Sequence, residues 1–142
     1  MTLLLLAAVV AADPSVWTKV SPGAKPLAAQ ISAEVAKAKA NKLTPFVYIG
    51  AAWCPPCVEI KRLQRHPKMV DAFRGTYIVE LVVDDWETAD RRALGYESRV
   101  IPIFHGVDAR GRATDRSING GAWGEDTPEN MAAALKKFFG AR

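Results

Sequence analysis

Residues 46–57, FVYIGAAWCPPC, decide the fold of this chain. The segment opens with the apolar, β-branched and aromatic residues of a buried strand. It closes on Cys54 and Cys57, and the residues after them, such as Val58 and Leu63, have helical spacing. The sequence therefore predicts that both cysteines lie where a buried strand meets a helix. We expect Cys54 to be exposed at the helix start and Cys57 to lie in the first turn.

This position favours thiol chemistry, because the nucleophile in disulfide exchange is a thiolate. A free cysteine has a pKa of about 8.5, and in a C-x-x-C motif at a helix N-terminus it falls to roughly 3.5–7.5. The free N–H groups and the helix dipole stabilise the anion there. Pro55 and Pro56 suit the first turn, where an N–H group would lack an intrahelical partner. We predict that Cys54 is the attacking thiol and Cys57 the resolving thiol.

An inert disulfide and half of a zinc site are the two other interpretations of the cysteine pair. Zinc sites need four ligands, and the chain has two cysteines and two histidines. The histidines, His66 and His105, stand at no recognised ligand spacing. A disulfide that closes so short a ring removes little chain entropy. Redox chemistry is favoured, and we expect neither a metal nor an organic cofactor.

Three motifs together resemble the thioredoxin superfamily. Residues 53–57, WCPPC, are a variant of its Trp-Cys-x-x-Cys signature, and residues 96–102, YESRVIP, resemble the segment that ends in its cis-proline. Residues 120–122, GGA, resemble the small-residue loop before its final helix. The motifs occur in the family's order. The resemblance implies an α/β thioredoxin fold, in which a central mixed β-sheet has helices on both faces.

The resemblance also implies a set of site residues around the attacking cysteine. Pro102, after a cis peptide bond, would be the third catalytic residue beside Cys54 and Cys57. The backbone of Ile101 would pair with an extended substrate segment. We expect the other substrate contacts to be Trp53, Pro55, Gly121 and Ala122.

One position departs from the family pattern. A buried acidic residue often lies in the family's strand six positions before the first cysteine, and here that position is Tyr48. The group that deprotonates Cys57 during resolution is therefore open. Glu59, two residues after Cys57, and water are the candidates.

The rest of the chain predicts the element order βαβ, then α, then ββα. The strand at residues 77–83 is apolar except for Glu80. Thr127 and Pro128 are typical of a helix start and predict the final helix. The other predicted strands cover residues 15–20, 100–107 and 113–119, and the other predicted helices cover residues 27–43, 58–66, 68–74 and 88–94.

Length and composition are those of one globular domain with an apolar core. The chain has 142 residues, of which 49% are hydrophobic and 24% charged. Its net charge of +4 comes without a dense Lys/Arg run or a basic-aromatic stripe, so nucleic-acid binding is disfavoured. We expect a monomer.

Residues 1–12, MTLLLLAAVVAA, form an apolar segment. It is too short for a membrane span, which needs about 20 residues. It resembles the core of a secretory signal with cleavage before Asp13, although the positively charged start is missing; a buried first helix is the alternative. We therefore divide the chain into this segment, an N-terminal arm at residues 13–26 and a thioredoxin-like domain at residues 27–142. A periplasmic or secreted location is expected, with a cytoplasmic one as the alternative.

The predicted function is that of a thiol–disulfide oxidoreductase that reduces protein disulfides. Its expected partners are disulfide-containing proteins and an upstream thiol reductase, either membrane-bound and DsbD-like or similar to thioredoxin reductase. Residues 66–73, HPKMVDAF, resemble the periplasmic DsbD-C-terminal-like branch. The alternatives are a disulfide oxidant or isomerase in an exported compartment and a non-catalytic binding module on the same scaffold.

Overall fold

A computed structural model of the chain describes residues 15–96 and 99–141. Its five strands form one mixed sheet in the order β1-β3-β2-β4-β5. Strands β1, β3 and β2 are parallel to one another, and β4 and β5 join in antiparallel fashion. The strands are β1 Val16–Lys19, β2 Thr44–Gly50, β3 Thr76–Val82, β4 Ile103–Val107 and β5 Ala113–Asn119.

The described residues also form five α-helices and two 3-10 turns. The helices are α1 Leu27–Ala40, α2 Pro55–Arg62, α3 Pro67–Phe73, α4 Thr88–Ala93 and α5 Pro128–Gly140. The 3-10 turns are Val83–Asp85 and Gly120–Ala122. All five predicted strands and all five predicted helices are present, in the predicted order. The formula βαβ, then α, then ββα fits the elements from β2 onward when α2 and α3 count as one helix, and it leaves out β1 and α1. Strand β1 lies within the predicted N-terminal arm, and it forms an edge of the sheet through its pairing with β3.

Two apolar clusters cover the two faces of the sheet. Alternate residues of a strand point to opposite faces, and β2 divides accordingly. Phe46 and Tyr48 belong to the cluster that contains residues of α2, α3 and α5, whereas Val47 and Ile49 belong to the cluster that contains residues of α1. The prediction of helices on both faces is therefore confirmed.

Three predicted boundaries are wrong by a few residues. Helix α1 ends at Ala40 because Lys42 adopts a left-handed φ of 57°. Helix α2 ends at Arg62, four residues before His66. Strand β4 begins only after Pro102, which has no N–H group to give to the sheet.

The predicted start of the last helix is confirmed. The Thr127 side chain accepts a hydrogen bond from the Asn130 backbone N–H at 3.2 Å, and Pro128 is the first helical residue. Within residues 15–96 and 99–141, no helix is long and apolar enough to cross a membrane. The predictions on residues 1–12 lie outside the described residues.

Candidate active site

The two cysteines lie at the C-terminal end of the central strand β2. Cys54 is the N-cap residue of α2, with extended backbone angles, and Pro55 and Pro56 occupy the first helical positions. Cys54 and Cys57 form a disulfide, with their Cα atoms 5.2 Å apart. The predicted junction of strand and helix is confirmed. It places both sulfur atoms at one edge of the sheet.

The expected exposure of Cys54 is wrong. The exposed fraction is 4% for Cys54 and 3% for Cys57. Both pack with Ala51, and the half-buried side chains of Val83 and Ile101 lie against them. These two neighbours belong to segments far from the cysteines in sequence, so the local motif alone could not show that they cover the disulfide.

The segment of Ile101 and Pro102 lies beside Cys54. The peptide bond between Ile101 and Pro102 is cis, as the family resemblance implies, and Pro102 is buried. The Ile101 carbonyl oxygen is 3.8 Å from the Cys54 sulfur. A disulfide sulfur carries no proton, so this approach is a contact in the oxidised protein. After reduction the Cys54 thiol can donate to the same carbonyl.

Trp53 lies at the surface next to the disulfide. Its side chain is 66% exposed, and its indole N–H donates a 2.6 Å hydrogen bond to the Asp84 carboxylate. This bond ties the ring to the 3-10 turn after β3. Trp53 therefore has the exposed position expected of a substrate platform, and Asp84 is a partner that the sequence analysis missed.

The glycine loop approaches the same segment through its first residue. A Cβ atom on Gly120 would lie 3.7 Å from Pro102 Cδ. The Asn119 side chain accepts a hydrogen bond from the Gly121 N–H at 2.9 Å and so fixes the turn. Gly121 and Ala122 are exposed, as is Pro55 on α2. The structure thus brings Gly120 against Pro102 and leaves these three predicted contacts at the surface.

A cavity of about 680 Å³ lies on the other side of the disulfide, beside Cys57. Tyr48, Lys61 and Glu80 contribute to its walls together with Cys57. The sequence motif predicts the cysteine but not this cavity, because the walls of the cavity come from several elements of the fold.

Glu80 is a buried carboxylate in the wall of this cavity, with an exposed fraction of 6%. It is paired in register with Tyr48 of the neighbouring strand. Lys61 forms an ion pair with it at 2.5 Å, and the Trp17 indole N–H donates to it at 3.2 Å. The sequence did contain a signal: Glu80 is the one charged residue of an otherwise apolar strand.

Tyr48, at the family's acidic position, and Glu59, one of the two candidates for deprotonating Cys57, have different surroundings. Burial, and then the negative charge of Glu80, raises the pKa of Tyr48 far above its usual value, so the phenol stays neutral. The Arg62 side chain binds the Glu59 carboxylate at 2.7 Å in an exposed ion pair, and this hydrogen bond lowers the pKa of Glu59. Tyr48 cannot replace an acid, and Glu59 is engaged at the surface.

Comparison with known families decides the classification. A model of the thioredoxin-like family matches residues 26–109, which include the cysteine pair and Pro102. The chain belongs to the thioredoxin-like family. No curated protein sequence matches it. Assignment to the DsbD-C-terminal-like branch stays a prediction.

Solved structures show the same fold at low sequence identity. A disulphide isomerase from Xylella fastidiosa Temecula1 is 19% identical with a TM-score of 0.57, covering 84% of this chain and 93% of that chain. A mutant thioredoxin from Halobacterium salinarum NRC-1 is 14% identical with a TM-score of 0.51, covering 91% of this chain and 96% of that chain. The reduced thioredoxin pre-protein of Schistosoma mansoni is 17% identical with a TM-score of 0.50, covering 87% of this chain and 98% of that chain. The predicted thioredoxin fold is confirmed.

Proposed function

We propose that this thioredoxin-like protein is a thiol–disulfide oxidoreductase that reduces disulfides in proteins. The observation that carries the proposal is the Cys54–Cys57 disulfide at the strand–helix junction, with the Ile101 carbonyl oxygen 3.8 Å from the first sulfur. A backbone group at that distance can hold an extended substrate segment without selecting a particular side chain. A module that only binds would have little need of an intact pair.

The reaction has two exchange steps. The Cys54 thiolate attacks one sulfur of the substrate disulfide, forms a mixed disulfide and releases the other substrate sulfur as a thiolate, which takes up a proton. Cys57 then loses its proton and attacks Cys54. A Cys54–Cys57 bond forms, the bond to substrate breaks, and the substrate leaves as a second thiol. Two electrons have passed from the cysteine pair to the substrate.

The N-terminus of α2 supports the first step. Cys54 stands at the positive end of the helix dipole, where an anion is stabilised. The prolines after it supply no N–H groups at the first two helical positions, so the dipole and the N–H of Cys57 remain as the local stabilisers of a thiolate.

We place the activity in an exported compartment, in the periplasm or outside the cell. The support is the apolar segment at residues 1–12, which resembles the core of a secretory signal. A donor of reducing equivalents is then required for turnover, because each cycle leaves the cysteine pair oxidised. A membrane DsbD-like reductase fits an exported location, and a donor similar to thioredoxin reductase fits a cytoplasmic one.

The reduction potential of the Cys54–Cys57 pair tests the proposed direction. The protein would be equilibrated in thiol–disulfide buffers, and its redox state followed by alkylation and mass spectrometry. A potential of about −270 mV supports a reductase, and one of about −120 mV would indicate an oxidant instead. A pair that does not interconvert in these buffers would contradict an oxidoreductase of either direction.

A further inference from the structure

The second exchange step needs a group that accepts the proton of Cys57. The position that often holds an acidic residue in the family cannot supply it in this chain. Cys57 is 3% exposed and must lose a proton before it can attack Cys54. Tyr48 stands where the family often has an acid, and its phenol is held neutral by burial and by the Glu80 charge. Another acceptor is needed on the Cys57 side of the disulfide.

Glu80 lies on the correct face of the sheet for this role. Tyr48 and Glu80 are paired in register on adjacent parallel strands. Tyr48 packs in the cluster that contains Ile60 of α2, and Glu80 forms an ion pair with a lysine of that helix. This chain therefore has its acidic group on β3, directly beside the position on β2 where the family often has one.

Lys61 joins the carboxylate to the helix that carries Cys57. It follows Cys57 by four residues, and positions four apart lie on the same side of a helix. Its ammonium is 2.5 Å from Glu80 Oε1, and the Trp17 indole N–H reaches the same oxygen. Among the described residues no hydrogen bond reaches Oε2, which leaves that oxygen able to bind water.

The cavity supplies the space for such water. Its volume of about 680 Å³ far exceeds the roughly 30 Å³ that one water molecule occupies in the liquid. Cys57 and Glu80 both line it. A hydrogen-bonded water path can therefore join the thiol and the carboxylate without a change in the fold.

Charged side chains from β1, α2, β3 and the 3-10 turn after β3 line this cavity. Its described walls present Lys19 from β1, Lys61 and Arg62 from α2, and Asp85 from the 3-10 turn. Together with Glu80, three cationic side chains face two carboxylates, and Tyr48 adds a neutral phenol.

We propose that Glu80, positioned by Lys61 and Trp17, accepts the proton of Cys57 through water in this cavity when the mixed disulfide is resolved. The proton passes from the Cys57 sulfur to a Glu80 oxygen, and the resulting thiolate displaces the substrate from Cys54. The departing substrate thiolate then takes this proton from Glu80 through water, or Glu80 releases it to solvent and the thiolate is protonated by solvent; either way the carboxylate is restored. This role rests on the proposed function and adds a residue to it.

Ellman's reagent, a small aromatic disulfide that releases a coloured thiolate, separates the two steps. In stopped flow, the reduced protein should release one thiolate when Cys54 attacks and a second when Cys57 resolves the mixed disulfide. Glu80→Gln should leave the first phase unchanged and slow the second by about tenfold or more near pH 7, since general base catalysis contributes roughly 10²–10⁴ when direct. The difference should shrink at high pH, because hydroxide then removes the Cys57 proton.

Glu59→Gln is the matched control, because it removes another carboxylate close to Cys57 in sequence, one that is partly exposed and paired with Arg62. It should leave both phases unchanged. If Glu80→Gln does not fold, Lys61→Gln decides instead: it should slow the second phase alone by a few-fold at neutral pH, since the carboxylate loses its positioning partner.

Three outcomes would count against these ideas, and they are distinguishable. A second phase that keeps its rate and pH profile in the deciding variant overturns the role of Glu80 and leaves the oxidoreductase function standing. An equal slowing of both phases assigns Glu80 a structural role only. A wild-type protein that shows neither phase contradicts the proposed function itself.

Discussion

The two sides of the disulfide have different chemical surroundings. The Cys54 side offers a backbone carbonyl from Ile101, the 66% exposed ring of Trp53 and a surface loop of small residues. The Cys57 side is a cavity lined by the buried Glu80 and by the exposed Lys61 that is paired with it. In the proposed mechanism, contact with another chain and transfer of protons therefore use separate surfaces beside the same two sulfur atoms.

The largest expected effect lies on the Cys54 side. Cys54→Ser should reduce the rate of protein-disulfide reduction to the uncatalysed background, because a serine hydroxyl cannot perform the attack. The rate would be measured with a protein disulfide as substrate and dithiothreitol as reductant. Ala52→Ser is the control, since it adds a hydroxyl at an exposed neighbouring position and should retain activity. Substantial turnover by Cys54→Ser would contradict the assignment of Cys54 as the attacking thiol.

An intermediate effect is expected where the glycine loop borders the Cys54 side. Gly121→Trp should lower activity on a protein disulfide by about tenfold and on oxidised glutathione by much less, because a large ring obstructs a chain more than a small molecule. Gly121 is exposed, and the nearest atom to a Cβ there is the end of the Asn119 side chain, so the fold should persist.

Gly140→Trp is a control for the bulk of the new side chain. Gly140 ends α5, is exposed and has no atom within 4 Å of the position that a Cβ would occupy. This variant should match the wild type on both substrates. If Gly121→Trp lost the same activity on both substrates, the assignment of this loop to the substrate-contacting surface would be wrong.

A smaller effect is expected from the hydrogen bond that holds Trp53. Asp84→Ala should raise KM for a protein disulfide a few-fold and leave kcat nearly unchanged, since this solvent-exposed bond holds the Trp53 ring and does not touch the sulfur atoms. Glu87→Ala, which removes another exposed carboxylate, should change neither constant. A fall in kcat with constant KM would show that Asp84 acts on the sulfur chemistry rather than on substrate contact.

The sequence predicted the Cys54 side better than the Cys57 side for a physical reason. Trp53, Cys54 and Cys57 fall within five consecutive residues, and their strand–helix junction follows from local periodicity. Pro102 was placed beside them by family resemblance. Local patterns report neighbours in sequence, so motifs of this kind can be recognised from the order of the residues alone.

Glu80 could not be placed in the same way. It is 23 positions after Cys57, and its approach depends on the register of β2 with β3 and on a lysine from α2. A charged residue in an apolar strand indicates a buried carboxylate that needs a partner, but the sequence does not show which residues pair with it. The burial of Cys54 was not predicted for the same reason, because Val83 and Ile101, which pack against it, belong to segments distant in sequence.

Capture of a substrate protein in a mixed disulfide tests the central claim most directly. Cys57→Ser and Cys54→Ser would each be reduced, mixed with a disulfide-containing protein, quenched with acid and analysed by mass spectrometry. The account predicts that Cys57→Ser accumulates a covalent adduct through Cys54, since attack survives and resolution does not, and that Cys54→Ser accumulates none. Adducts on Cys54→Ser together with none on Cys57→Ser would reverse the roles of the two cysteines. The absence of adducts from both would contradict thiol–disulfide exchange with proteins.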